Sequence, residues 1–137
     1  MTDVDFLEVA VDVAARPERV FLYFTEPARH MQWMGKSAIL DPVPGGIYRV
    51  RLRDGVEALG EFVEVNSPHQ ISFTWWTRGS AVAPGHSRVV VTFEPYGRVT
   101  RVVLRHHDLP DVERALQRER WRTCLGRLAI RARLGAS

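Results

Sequence analysis

The segment from Gly45 to Trp76 constrains this chain most, because it combines tight turns with unusually large aromatic side chains. Its apolar runs are Ile47-Tyr48, Gly60-Glu61-Phe62-Val63 and Ile71-Ser72-Phe73-Thr74-Trp75-Trp76, and Asp54-Gly55 is a strong two-residue hairpin signal. This pattern predicts three successive antiparallel strands. Large aromatic side chains on a curved sheet are typical of a sheet that encloses another element or a ligand. The functional question is whether the sheet encloses only a helix of the same chain or also a ligand.

Length and composition predict one ordinary globular domain over residues 1–137. A chain of this size can bury a hydrophobic core without disulfides, and Cys124 is its single cysteine. The first residues, Met1-Thr2-Asp3-Val4-Asp5, lack the basic and apolar runs of a signal peptide, and no stretch has the length and hydrophobicity of a membrane span. We therefore expect a domain of the reducing cytoplasm with no integral membrane segment.

The net charge of +3 does not by itself indicate a nucleic-acid partner. Several arginines fall in the region of the predicted last helix, but at about 100° per residue they spread around several sides of it. These residues are Arg114, Arg118, Arg120, Arg122, Arg127, Arg131 and Arg133. A nucleic-acid-binding helix would concentrate such residues on one face. We expect a solvated helix surface and no nucleic-acid binding.

Periodicity and turn signals predict an α+β order of elements. The predicted elements are a strand at Phe6–Val13, a helix from Pro17, a second short helix at Ala28–Met34, the meander, a long loop at Thr77–Gly85, strands at Ser87–Phe93 and Val99–His106, and a helix over about 111–133. An antiparallel sheet with one long helix must cover its apolar face with that helix. The prediction is a curved antiparallel sheet of about six strands, with two short helices after strand 1 and the long C-terminal helix over the concave face.

With these elements the chain resembles the activator of heat-shock-protein-90 ATPase-like family, within the START-like (SRPBCC) superfamily. The matching segments span nearly the whole chain and are Arg16-Pro17-Glu18-Arg19-Val20-Phe21, Trp33-Met34-Gly35, Pro44-Gly45-Gly46-Ile47-Tyr48, Gly60-Glu61-Phe62-Val63-Glu64-Val65, Phe73-Thr74-Trp75, Leu104-Arg105-His106, and Trp121 with Leu125-Gly126-Arg127-Leu128. The resemblance implies a helix-grip fold with a cavity between the sheet and the last helix. It also implies binding of apolar small molecules such as lipids or polyketides, which superfamily members bind.

Two residues depart from the family's pattern. The last helix of the family usually reads His-x-x-Gly-Trp, whereas Gln117 and Arg120 hold those positions before Trp121. Gln117 keeps a polar group on the predicted cavity face but has no titratable imidazole, which weakens an acid–base role there. The family's chaperone activators join this domain to a separate one that has no counterpart in this sequence. Direct chaperone activation is therefore not expected.

Strand parity separates inward from outward side chains. In the strand around 47–53, Tyr48, Val50 and Leu52 face inward and the arginines between them face outward. The same reasoning places Phe73 and Trp75 inward. The predicted ligand-binding aromatic residues are Trp33, Tyr48, Phe73, Trp75 and Trp121, with Gln117 as a polar neighbour. Indole N–H and phenol O–H groups would supply oriented donors to a ligand; alternatively, these side chains simply fill the core.

Glu61 and His106 are the predicted polar residues of the cavity. His106 shares a face with Thr100, Val102 and Leu104, opposite to two arginines, and so is expected to point inward. Grouping Leu59, Val63 and Val65 inward carries Glu61 with them, whereas the opposite parity, or a bulge at Gly60, would place Glu64 inward. A desolvated carboxylate beside an imidazole can transfer protons. The alternative is that Glu61 lies at the cavity mouth and His106 bonds to the backbone.

The sequence favours binding over other functions. Adjacent His106 and His107 point to opposite faces of a strand, there is no metal-binding motif or glycine-rich phosphate loop, and Cys124 lies on an apolar helix stripe. We expect no metal and no cofactor. The primary hypothesis is a protein that binds an apolar or amphipathic molecule. One alternative is a polyketide cyclase-like enzyme that uses Glu61 and His106 for proton transfer. The other is a ligand-free interaction module or chaperone-associated protein, and the partner could then be a second copy of the chain in a homodimer.

Overall fold

Seven antiparallel strands form one curved, open sheet in the computed structural model, which describes residues 6–133. The elements are β1 (Phe6–Val13), α1 (Pro17–Thr25), α2 (Pro27–His30), β2 (Gly35–Leu40), β3 (Ile47–Leu52), β4 (Glu57–Asn66), β5 (Gln70–Thr77), β6 (Ser87–Tyr96), β7 (Val99–His107) and α3 (Asp111–Arg131). The strand order is β1-β7-β6-β5-β4-β3-β2. This arrangement confirms the predicted helix-grip fold. The sequence reading of Met1–Asp5 concerns residues outside the described range.

The two edges of the sheet differ from each other. β1 pairs along its whole length with β7, and its outward carboxylates bind outward arginines of that strand: Arg101 Nε lies 3.0 Å from Asp12 Oδ1, and Arg105 Nε lies 2.9 Å from Glu8 Oε1. The predicted outward direction of these arginines is thus correct. β2 forms the other edge and pairs only with β3, with a register shift between Gly35 and Ser37.

β2 is the strand that the sequence pattern did not predict. Its residues Gly35–Leu40 lack the clear alternation of β1, since only Gly35 among them is buried. The preceding helix is also shorter than expected, because regular α-helix ends at His30. From there the N–H groups of Gln32 and Trp33 bond to carbonyls three residues back, so the chain continues in tight turns.

The long helix α3 covers the concave face. Its buried residues are Gln117, Trp121, Cys124, Leu125 and Leu128, which recur at the spacing of one helical face. Helix α1 contacts the carboxyl end of α3, because the Tyr23 hydroxyl donates to the Arg131 carbonyl at 3.2 Å and Arg19 Nε donates to the Ala132 carbonyl at 3.1 Å. These bonds satisfy carbonyls that a helix end otherwise leaves without partners.

The close approach of β4 and β5 predicts opposite effects for one substitution at two glycines. A Cβ at Gly60 would collide with the backbone oxygen of Thr74, whereas a Cβ at Gly126 of α3 meets no atom within 4 Å. We expect Gly60→Ala to destabilise the fold by about 2–3 kcal/mol through overpacking and Gly126→Ala to stabilise it by about 0.5–1 kcal/mol through helix propensity. Urea unfolding followed by tryptophan fluorescence measures both. Equal effects of the two substitutions would contradict the close approach.

Candidate functional site

The structure buries seven of the eight predicted site residues between the sheet and α3. Their exposure is at most 1%, and they are Trp33, Tyr48, Phe73, Trp75, His106, Gln117 and Trp121. The inward direction of Tyr48, Phe73, Trp75 and His106 agrees with the strand parity. Burial by itself does not make these residues a ligand site, and their contacts with one another decide what they can do.

Glu61 does not belong to this group, and its predicted inward direction is wrong. Its side chain is exposed, while Ala58 and Phe62 of the same strand are buried. β4 therefore has the opposite parity over this stretch, and the bulge lies between Phe62 and Glu64, not at Gly60. Phe62 and Val65 are three positions apart, so regular alternation would place them on opposite faces. Because the bulge adds one residue between them, both side chains pack against the core. Glu64 is exposed as well.

His106 is the centre of a buried hydrogen-bond chain. Trp121 Nε1 donates to His106 Nδ1 at 3.0 Å, His106 Nε2 lies 3.0 Å from Ser87 Oγ, and Ser87 Oγ donates to the Trp75 carbonyl at 2.5 Å. An indole N–H only donates and a carbonyl only accepts. The chain therefore has one direction: His106 carries its proton on Nε2 and donates it to Ser87.

This arrangement leaves His106 without a free nitrogen for a ligand. Burial lowers the pKa of His106 to about 3, with a smaller contribution from His107, so the imidazole is neutral at neutral pH. A second proton on Nδ1 would displace the Trp121 hydrogen bond. Since Glu61 is exposed and His106 is fully bonded, the proton-transfer pair proposed for a cyclase is not assembled. The alternative expectation was that His106 bonds to the backbone; in the structure its ring nitrogens bond to the side chains of Trp121 and Ser87.

A second buried histidine, His30, was not identified from the sequence. His30 Nδ1 lies 2.9 Å from the Tyr23 carbonyl and so carries the proton, and Nε2 accepts from the Tyr48 hydroxyl at 2.9 Å. Trp33 Nε1 also donates to the Tyr23 carbonyl, at 2.8 Å. Burial lowers the pKa of His30 to about 4. The available signal was indirect: Tyr48 and Trp33, predicted to be buried, each needed a hydrogen-bond partner.

The aromatic side chains fill much of the space beneath α3. Tyr48 stacks on Phe73 with ring centroids 4.2 Å apart, and Trp75 contacts Trp121 at 4.9 Å. Some polar atoms nevertheless lack protein partners in this part of the chain. Within residues 6–133, Trp75 Nε1 and both side-chain amide atoms of Gln117 are buried without a hydrogen bond. An unpaired buried polar group costs about 1–3 kcal/mol, so these atoms are the interior positions where a polar ligand atom would be favourable.

A pocket lies at the edge of the interface between the sheet and α3, next to the β3–β4 turn. We call it the α3 pocket; its volume is about 280 Å³. It is lined by Met34, Leu52, Arg53, Asp54, Leu116, Glu119, Arg120, Thr123, Cys124 and Arg127. Met34, Leu52 and Cys124 also belong to the hydrophobic core, so the pocket floor is the edge of the core, where α3 meets the end of β3. The volume lies just below the usual range for small-molecule sites, about 300–1,000 Å³.

The rim of the α3 pocket is charged. Arg120 Nη2 lies 3.4 Å from Asp54 Oδ2, which joins α3 to the β3–β4 turn. Arg120 stands where the family pattern has glycine. Sequence reasoning did not identify this pocket, because its lining residues come from a turn, a strand and a helix whose proximity no local pattern reveals. None of the eight predicted site residues lines it.

The described helices contain no segment with both the length and the apolar character needed to cross a bilayer. Within the same residues, no group of three histidine, cysteine, aspartate or glutamate side chains is placed to hold a metal ion.

Comparison with known proteins places this fold in a family. The family model described as "Activator of Hsp90 ATPase homolog 1-like protein" matches residues 14–132. The solution structure of an AHSA1-like protein from Rhizobium etli is 33% identical, with a TM-score of 0.75, and the match covers 96% of this chain and 83% of that one. None of the curated proteins matches this chain.

Two further solved structures share the fold. DynU16, a protein in the dynemicin biosynthetic locus, is 27% identical with a TM-score of 0.83, and the match covers 97% of this chain. It covers 49% of DynU16, so this chain spans about half the length of that protein. The Aha1 dimer from Colwellia psychrerythraea is 14% identical with a TM-score of 0.83, covering 96% of this chain and 98% of that one. At that identity the likeness concerns the fold alone, and a homodimer of this chain stays a prediction.

Proposed function

Because this chain belongs to the Activator of Hsp90 ATPase homolog 1-like family, whose fold places a helix across a concave sheet, we propose that it binds an apolar or amphipathic small molecule between the sheet and α3. The observation that carries the proposal is the α3 pocket, whose wall includes the core side chains of Met34, Leu52 and Cys124. Concave, mostly apolar sites with a few polar groups are typical of small-molecule binding.

The interior supports an extension of this site. The unpartnered atoms of Trp75 and Gln117 lie under α3, and a ligand that displaced core side chains could satisfy them. The predicted residues Trp33, Tyr48, Phe73 and Trp121 would then surround its apolar part. The position of DynU16 in a biosynthetic locus is consistent with a ligand from small-molecule biosynthesis. Lipid-like and polyketide-like molecules are the two ligand classes that we propose, in a single domain that spans the chain and acts in the cytoplasm.

Filling the α3 pocket should abolish binding without unfolding the protein. Thr123 lies on the exposed surface of α3 at the pocket wall, so the indole introduced by Thr123→Trp would occupy the pocket. We expect the affinity for the uncharged fluorescent probe N-phenylnaphthylamine to fall about tenfold or more, which corresponds to losing about 1.4 kcal/mol of apolar contact.

The matched control is Ile130→Trp, which adds an indole to an exposed position of the same helix outside the α3 pocket. It should leave probe binding unchanged. Equal probe binding by Thr123→Trp and the unaltered chain would contradict the proposed site. If the unaltered chain takes up no apolar probe at all, a ligand-free interaction module becomes the favoured function.

A further inference from the structure

We propose that the ligand of the α3 pocket is an amphipathic monocarboxylic acid, whose carboxylate binds between Arg53 and Arg127. This inference rests on the proposed function and specifies the chemical class of the ligand. Its basis is the positive charge around the pocket, which the pocket's own carboxylates do not fully neutralise.

The pocket lining carries one net positive charge. Its ionisable side chains are three guanidinium groups, Arg53, Arg120 and Arg127, and two carboxylates, Asp54 and Glu119. The Asp54 carboxylate pairs with Arg120. In the part of the chain that the structure describes, neither Arg53 nor Arg127 has a carboxylate within ion-pair distance, 4.0 Å. Because Glu119 is the second carboxylate of the lining, one positive charge remains without compensation, and Arg53 and Arg127 are the guanidinium groups at which a ligand can supply the counter-charge.

These two guanidinium groups, from different elements, bond to one short segment of the chain. Arg53 Nη2, from the end of β3, donates to the carbonyl of Gln32 at 3.2 Å. Arg127 Nη1, from α3, donates to the carbonyl of the next residue, Trp33, at 3.3 Å. Since consecutive carbonyls accept these bonds, the two guanidinium groups are anchored to neighbouring residues of the chain. Each guanidinium has five N–H donors, so most of these donors remain for another acceptor.

The field of these arginines reaches the apolar floor. Burial raises the pKa of the Cys124 thiol, but the positive charges of Arg127, Arg120 and Arg53 each act in the opposite direction. Arg127 Nη1 also lies 3.9 Å from Cys124 Sγ. A negative charge that enters the pocket is thus attracted by the net positive charge of the lining, in a partly desolvated space where charge interactions exceed those in water.

A carboxylate on a short apolar chain matches these features. Its two oxygens fit the planar fork of a guanidinium, and its single charge neutralises the net charge of the lining. The attached chain would lie against Met34, Leu52 and Leu116, which line the same pocket. A dianionic phosphate would leave excess negative charge, and an alcohol would leave Arg53 and Arg127 without an anion.

The test compares octanoate, octanol and octylamine, which share one alkyl chain and differ in charge, as competitors of N-phenylnaphthylamine at neutral pH. Partition into a purely apolar site favours octanol, because the charged head groups must lose water. We expect the reverse order here, with octanoate displacing the probe at about tenfold lower concentration than octanol and octylamine weakest. The advantage of octanoate should shrink at high salt.

Substitutions locate the effect. Arg53→Gln and Arg127→Gln should each reduce octanoate affinity about tenfold and change octanol affinity less than about twofold. Arg118→Gln is the control, because Arg118 lies on α3 at the groove beside β1. Arg127→Gln removes a partly buried hydrogen bond to Trp33, whereas Arg53→Gln removes an exposed one to Gln32. The Arg53 variant therefore keeps the test valid if the Arg127 variant unfolds.

The outcomes separate this inference from the proposed function. Preference for octanoate that Arg53→Gln removes supports both. If octanol displaces the probe as well as octanoate does, the carboxylate inference is wrong while the proposed function stands. If the chain binds neither the probe nor any of the three compounds, the proposed function fails and the inference fails with it.

Discussion

At pH 5 the free energy of unfolding should be about 4 kcal/mol lower than at pH 7.5, because two buried histidines stay neutral in the fold. Burial lowers the pKa of His30 from 6.5 to about 4 and that of His106 to about 3. In the unfolded chain both imidazoles take up a proton below pH 6.5, while in the folded chain they do not. Stability is therefore constant above neutral pH and falls by about 1.4 kcal/mol per histidine for each pH unit below 6.5.

The decline from each histidine ends where its folded form also takes up a proton, near pH 4 for His30 and pH 3 for His106. Urea unfolding at several pH values, with an unchanged dependence on urea concentration, measures the slope. His106→Gln should halve it, because one of the two groups no longer titrates. His86→Gln, at an exposed loop position, serves as the control and should keep the full slope. A slope that survives in a protein lacking both His30 and His106 would refute this explanation.

Replacement of Trp121 by alanine should cost about 4–8 kcal/mol, which is comparable to the whole stability of a marginally stable domain. Removing a fully buried indole leaves a cavity worth about 3–5 kcal/mol, and it also leaves His106 Nδ1 without its donor, at a further cost of about 1–3 kcal/mol. Trp121→Phe isolates the second effect, since it keeps an aromatic ring but no N–H. We expect that variant to lose about 1–3 kcal/mol.

Trp76→Phe is the matched control for these variants. Trp76 is adjacent to Trp75 but only half-buried, beneath the Arg78 guanidinium on the other face of β5. Its replacement should cost less than about 1 kcal/mol. Calorimetry and urea unfolding measure all three variants. If Trp121→Phe proves as stable as the unaltered chain, the hydrogen bond from Trp121 to His106 contributes nothing to stability, and the role of His106 must be reconsidered.

The parts of the fold that the sequence predicted depend on strong local patterns. β1 alternates strictly, and the buried residues of α3 lie at helical spacing, so their burial followed from periodicity alone; in β7 the pattern is interrupted only by Val103, which is buried on the outward face. β2 was missed because five of its six residues are at least partly exposed. An edge strand of this kind is defined by its backbone pairing with β3, and pairing leaves little trace in the sequence.

The candidate site was harder to predict for a similar reason. A bulge after Phe62 changes the alternation of β4 by one residue, and nothing local in Glu61-Phe62-Val63-Glu64 tells where the extra residue falls. The inward direction of His106 was predictable, but its hydrogen bonds were not, because their partners Trp121 and Ser87 come from two other elements. The α3 pocket needs a turn, a strand and a helix to meet, so it became visible only in three dimensions.

The register shift in β2 has a consequence for the behaviour of this protein at high concentration. A free sheet edge is a template on which further chains can add strands and aggregate. The shift falls at Lys36, which is exposed and is the single lysine of the sequence. A charged residue at an irregular point of an edge strand hinders the addition of a flat neighbouring strand. Lys36 thus protects the β2 edge of the sheet from such addition. The opposite edge strand, β1, is in contact with α3.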